Sequence, residues 1–134
     1  MRSSIWLVPL LTLVSITAAC TSSSVIPTGD HSYPALAGNA PVNVYASEKN
    51  VPAGFEVVGI IDYMNPGKYQ VLSLQDATPE LQAKARTVGA NGVVVDGMDP
   101  VKSGILSTGI HVRARAIRVP AAVVVATAAA PIAP

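Results

Sequence analysis

His111, Arg113 and Arg115 alternate along the stretch "GIHVRARAIRV", with Ile110, Val112, Ala114 and Ala116 between and around them. On an extended strand, alternate residues project to one face about 7 Å apart, so this spacing predicts a row of three cationic or protonatable groups. Guanidinium forks suit phosphate and carboxylate oxygens, and such a row suits a polyanion or an acidic protein surface. Lys102 lies nearby in the chain, whereas Arg118 has the opposite parity and reads as an end-of-strand charge. The plain alternative is a solvated strand face whose charges discourage aggregation. Other chemistry is thinner. Ser103, Ser107, Thr108, His111, Asp96 and Asp99 include the residue types of a nucleophile, a base and an orienting acid. Gly97, Pro100, Gly104 and Gly109 among them read instead as turn chemistry joining two strands. No G-x-S-x-G elbow, P-loop, dinucleotide glycine fingerprint or HExxH sequence occurs. With one Cys and two His, no group of residues has metal-ligand spacing. The expectation is a non-enzyme, with no catalytic residue, no metal and no cofactor.

Composition narrows the field further. A chain of 134 residues accommodates one domain. Its net charge of +1 excludes a strongly basic nucleic-acid binder. The one Cys, Cys20, excludes an internal disulfide. That Cys ends a stretch with a separate logic. Arg2 is followed by the apolar run Ile5–Ile16 and then by Thr17, Ala18 and Ala19, the order of a secretory signal over residues 1–19. The apolar run is shorter than the roughly 20 residues a membrane-spanning helix needs, and Pro9 interrupts it.

Ile16-Thr17-Ala18-Ala19-Cys20 resembles the lipobox of bacterial lipoproteins, with Thr17 where Leu, Val or Ile is usual. The resemblance implies that Cys20 carries the lipid, becomes the mature N-terminus and attaches the protein to a membrane. Two or more acyl chains make such an anchor stable, where one is marginal. Thr21, rather than Asp, follows the Cys. By the same resemblance, this implies the outer membrane, facing the periplasm, over the inner membrane. The alternative is ordinary cleavage after Ala19 that leaves a thiol.

The elements that must position these residues follow. Residues 20–41 are rich in Ser, Thr, Gly, Pro and Ala and read as a flexible linker that includes His31 and Tyr33. Such a coil spans roughly 25 Å and would lift a domain clear of a lipid surface. The domain is expected over 42–119. Its strands are Val42–Tyr45, Phe55–Tyr63, Val93–Val95 and Ile110–Val119, with a weaker extended stretch at Tyr69–Leu74. Thr78 as N-cap and Pro79 at the first helical position open a helix whose apolar stripe is Leu81, Ala85 and Val88. Gly89 ends it, and Asp96–Pro100 breaks the strand that follows. Residues 120–134 read as an Ala/Pro-rich tail in which Val123–Val125 is a candidate edge strand. The fold class is α+β: a small sheet of about four strands with one helix packed on one face.

The segments "VPAGFEVVGII", the capped helix, "VGANGVVVD" and "GIHVRARAIRV" resemble a group of small bacterial lipoproteins of unknown function. More distantly, Val51–Val119 is similar to heavy-metal-binding-like small α/β domains and to the lipoprotein that senses envelope stress for the Rcs phosphorelay. Taken with the cationic row and the lack of a catalytic motif, the first resemblance leads to the expectation of a lipid-anchored binding or assembly module of the cell envelope, meeting an envelope polyanion or a protein partner. The second implies a stress sensor signalling to a partner protein. A single Phe and an unprotected final strand also suggest pairing with a second copy.

Overall fold

The computed structural model describes residues 20–67, 71–102, 105 and 108–121. In chain order, the elements are β1 (Ser22–Pro27), β2 (Asn43–Tyr45), a 3-10 turn (Glu48–Asn50), β3 (Glu56–Asn65), α1 (Leu74–Thr87), β4 (Gly92–Lys102) and β5 (Thr108–Arg118). The strands form one mixed sheet in the order β1-β3-β5-β4-β2. The fold is α+β with one helix on the sheet, as expected, although the sheet has five strands rather than four.

β5 is the central strand, antiparallel to both β3 and β4. β3 and β4 therefore run parallel to each other with β5 between them, a split β-α-β arrangement crossed by α1. The strict alternation of β5 fits this place. Ile110, Val112, Ala114 and Ala116 are buried beneath the helix, against Ala77, Leu81 and Ala85. Small side chains on both surfaces allow close approach, and Ile61, Tyr63 and Val93 fill the flanks. A smaller apolar cluster of Val94, Ile117 and Val119 sits on the opposite face, covered by Tyr45, Val51, Phe55 and Val57.

Several expectations require correction. The final strand is not an edge, so the sheet edges available for pairing are β1 and β2. The linker is not a free coil. Ser22–Pro27 pairs with β3 from Ser22↔Met64 to Pro27↔Gly59, and the Ser23 hydroxyl donates to Glu80 on α1 at 2.6 Å. The segment after β1 straps the end of the helix. Leu36 N–H donates to Arg86 O, Arg86 Nε to Ala40 O and Gln82 Nε2 to Val42 O, at 2.8 Å each. An edge strand needs one apolar residue per pair of positions, here Val25, so its composition resembled a linker.

The helix begins four residues before Thr78. The Ser73 N–H and hydroxyl both donate to Asp76 Oδ2 at 2.7 Å, which holds that carboxyl below its usual range and fixes the first turn. Pro79 falls in the second turn, where it has no N–H for the carbonyl four residues back, and Thr78 Oγ1 donates to Leu74 O at 3.0 Å. Asp96–Pro100 does not break β4. The strand passes through a bulge between Val95 and Gly97 and continues to Lys102. Pro100 is tolerated there because β2 pairs only with Gly92–Val94, which leaves that stretch of β4 an edge. Around the weak Tyr69–Leu74 stretch, Val71 makes an isolated parallel bridge to Thr108 and Leu74 is helical. The signal over 1–19 and the candidate strand Val123–Val125 lie outside the described residues.

Gly89 ends the helix at φ +72°, where an added Cβ would approach Pro34 O and Tyr33 Cβ to 2.6 Å. Gly38, in the same strap, has nothing within 4 Å. Gly89→Ala is therefore expected to cost more than about 2 kcal/mol in denaturant unfolding, and Gly38→Ala less than about 0.5 kcal/mol. Equal effects would show that the strap does not seat on the helix end.

Candidate functional site

The sheet face away from α1 carries a ladder of paired charges. Its rows follow from strand register. Ile26, Ile60, Arg115 and Val94 share one row; Ser24, Asp62, Arg113 and Gly97 the next; Ser22, Met64, His111 and Asp99 the third. The structure thus brings His111, Arg113 and Arg115 onto one face, as their alternation predicts. It also supplies each with a carboxylate. His111 Nε2 lies 2.9 Å from Asp62 Oδ2, and Arg113 Nη2 donates to Asp99 Oδ2 at 3.1 Å. Arg115 donates from Nε to both Asp96 oxygens, at 3.0 and 2.9 Å, and from Nη2 to Asp96 at 2.7 Å and Glu48 at 2.8 Å.

The three are not equivalent. The Arg115 side chain is 28% exposed and ties the 3-10 turn, through Glu48, to the sheet and so closes the cover over Val94 and Ile117. Its fork on Asp96, then its bond to Glu48, drive its already high pKa further up. Arg113 is 60% exposed beside an equally open Asp99, an ion pair of the kind worth less than about 1 kcal/mol. Arg115 therefore acts as a clamp, Arg113 is the most open member of the row, and His111, 30% exposed, is about as covered as Arg115. Gly97 leaves room for Arg113: an added Cβ would stand 3.1 Å from Arg113 Nη2.

Asp62 and Glu48 are the members missed in the sequence. Asp62 has a local signal, the outward alternation of Ile60, Asp62 and Met64 on β3; Glu48 has none, since it reaches the ladder only through the fold. Lys102 stands at the end of β4, opposite Thr108, and has no place in the ladder. Ser103 and Ser107 lie outside the described residues, and His111 meets Asp62 rather than Asp96 or Asp99. Among the described residues, no three His, Cys, Asp or Glu side chains gather to hold a metal ion.

A second polar group lies on the helix side, at the far end of the sheet. Arg118 Nη1 donates to Gly89 O at 2.6 Å, a cation on the helix C-terminus, and its guanidinium lies 4.4 Å from the centre of the Tyr33 ring. The Tyr33 hydroxyl donates to Glu56 Oε2 at 2.6 Å, and His31 Nδ1 lies 3.3 Å from Glu56 Oε1. Tyr33 is thus a packed residue of the strap and not a solvated one. The bond to Tyr33, helped by His31 and Arg118, holds the Glu56 carboxyl below its usual range. The same bond and partial burial push the Tyr33 phenol up.

No protein-family model matches the chain, and no curated protein sequence matches it. Among solved structures, the crystal structure of a Francisella virulence factor, FvfA, in an orthorhombic form is similar at a TM-score of 0.47 and 14% identity, covering 72% of this chain and 96% of that one.

The Tyr33–Glu56 bond sets a pH dependence. Glu56 is lowered from 4.5, so its contribution is present above that pH and lost as pH falls through the lower folded value. Tyr33 is raised from 10.0, so its contribution is present below that pH and lost as pH rises through the higher folded value. Tyr33→Phe is expected to flatten both limbs of a stability-against-pH curve, with Asp76 contributing equally to both proteins in acid. Superimposable acid limbs would remove the bond from the account.

Proposed function

We propose that this chain is a lipid-anchored lipoprotein of the bacterial cell envelope, held by acylated Cys20 in the outer membrane and facing the periplasm, where it acts as a non-enzymatic binding module. One observation carries the reading. Cys20 is exposed, ends a leader with the order of a secretory signal, and stands two residues before the first strand of the domain. The resemblance of Val51–Val119 to small bacterial lipoproteins points the same way. No helix of the described residues is long and apolar enough to cross a membrane.

The binding surface in this reading is the open sheet face. His111, Arg113 and Arg115 each already have a carboxylate within 3.1 Å, so a polyanion has to displace an acid that is in place. A protein surface bearing both signs can extend the ladder without that displacement, and Ile26 and Ile60 (62% and 48% exposed) supply apolar contact beside it. The favoured partner is therefore a protein of mixed surface charge.

The anchor is tested by intact mass and N-terminal peptide of the protein from membrane fractions, beside Cys20→Ala. The expected result is a chain that begins at acylated Cys20 and leaves the membrane fraction in the variant; an unmodified N-terminus in the soluble fraction defeats the anchor. For the face, His111→Ala with Arg113→Ala is expected to weaken retention on isolated envelope material several-fold while changing stability by less than about 1 kcal/mol. Unchanged retention would move the binding surface elsewhere.

A further inference from the structure

The pairing of β1 changes what an anchor at Cys20 implies. A coil over residues 20–41 would hold the domain off the membrane, but the chain enters the sheet at Ser22, opposite Met64. Only Thr21 lies between, and two residues reach at most about 7 Å even when fully extended. The headgroup layer of one leaflet is about 5–7 Å thick, half the difference between the whole bilayer and its hydrocarbon core. A lipid on Cys20 therefore brings this end of the sheet to the headgroups.

The side chains at that end fit such a neighbour. Register places Asn65, Lys102 and the Val71–Thr108 bridge one to three residues beyond the level where β1 begins, on the side from which the chain arrives from Cys20. Val71 is 81% exposed and Ile105 fully so, with Met64 and Met98 half exposed nearer the sheet. Val71 and Ile105 are open apolar side chains that a lipid surface brought to this end would cover. Lys102 stands on the same hairpin as Ile105, with a cation for anionic headgroups. The opposite end, at Arg118, is ten residues along β5 from Thr108, or about 33 Å away.

We propose that this end of the sheet is a membrane-seating surface, in which Val71 and Ile105 enter the headgroup region beside the lipid on Cys20. The proposal rests on the lipoprotein reading. The strands then stand away from the bilayer, and the charge ladder faces sideways along it, with His111 nearest the lipid and Arg115 farther out. The occupant is the lipid surface itself. A second copy or a protein cap at Val71 and Ile105 is the competing outcome.

The chain has one Trp, Trp6. On a Trp6→Phe background, a Trp introduced at Ile105, Val71 or Ala53 is the single one in the chain, and Ala53 is an exposed turn residue at the far end. Each protein is taken from the membrane fraction and placed in phosphatidylethanolamine–phosphatidylglycerol vesicles with or without brominated acyl chains. Where the mass shows no acylation, the Cys20 thiol is coupled to a maleimide lipid, so the seat is read independently of the anchor reading. Ile105→Trp and Val71→Trp are expected to lose about half or more of their emission to brominated lipid, and Ala53→Trp almost none. Equal and weak quenching at all three positions overturns the seat. So does emission at 105 and 71 that is shielded from a water-soluble quencher yet insensitive to bromine, because a protein then covers that end. A failed acylation with quenching preserved after coupling defeats the lipoprotein reading alone.

Discussion

β5 is hydrogen-bonded along nearly its whole length to β3 on one side and β4 on the other, so its backbone donors and acceptors are consumed within the sheet. That double pairing fixes the register of both neighbours. It therefore decides which residues of β3 and β4 share a face with His111, Arg113 and Arg115, and which lie under the helix. A slip of one residue would turn Ala114 and Ala116 outward and carry the arginines into an apolar core with no buried polar partner. The charge ladder and the helix packing are two faces of one constraint.

The helix is held by this surface and by the strap before it. Ala77 and Ala85 give it a flat underside, Arg118 bonds Gly89 O just past its last turn, and the segment from Thr28 to Val42 crosses its end on hydrogen bonds from Arg86 and Gln82. Gly89 is the meeting point, since its positive φ and missing Cβ admit Tyr33 and Pro34. Residues far apart in sequence thus form one cap in which Tyr33, Glu56 and Arg118 depend on one another. The arrangement leaves the first strand mostly polar and one residue removed from Cys20, so an anchor there would act on the orientation of the whole sheet.

The partners of the ladder divide by how local they are. The alternation in β5 was plain because a strand half under a helix must alternate. The partners of those residues were not, because Asp62, Asp96, Asp99 and Glu48 arrive from three separate segments and only register sets them opposite a given cation. Asp96 and Asp99 beside Gly97 and Pro100 carry the composition of a turn, and the bulge that keeps them in a strand has the same composition. The start of α1 was misplaced for a similar reason. Thr78-Pro79 is a good local opening, but Ser73 and Asp76 form a better cap one turn earlier, and packing of Ala77 tolerates the proline.

Local chemistry alone settled that the domain is α+β, that one short helix ends at Gly89, and that His111, Arg113 and Arg115 point one way together. Each of these follows from periodicity or from a single residue's backbone freedom, which neighbours in sequence determine. Tertiary structure decided that β5 lies in the centre and not at the edge, that His111, Arg113 and Arg115 each have a carboxylate, and that Ser22–Pro27 is a strand. Those outcomes depend on which unpaired backbone edges meet and in what register. That is a property of segments distant along the chain, and no window of sequence contains it.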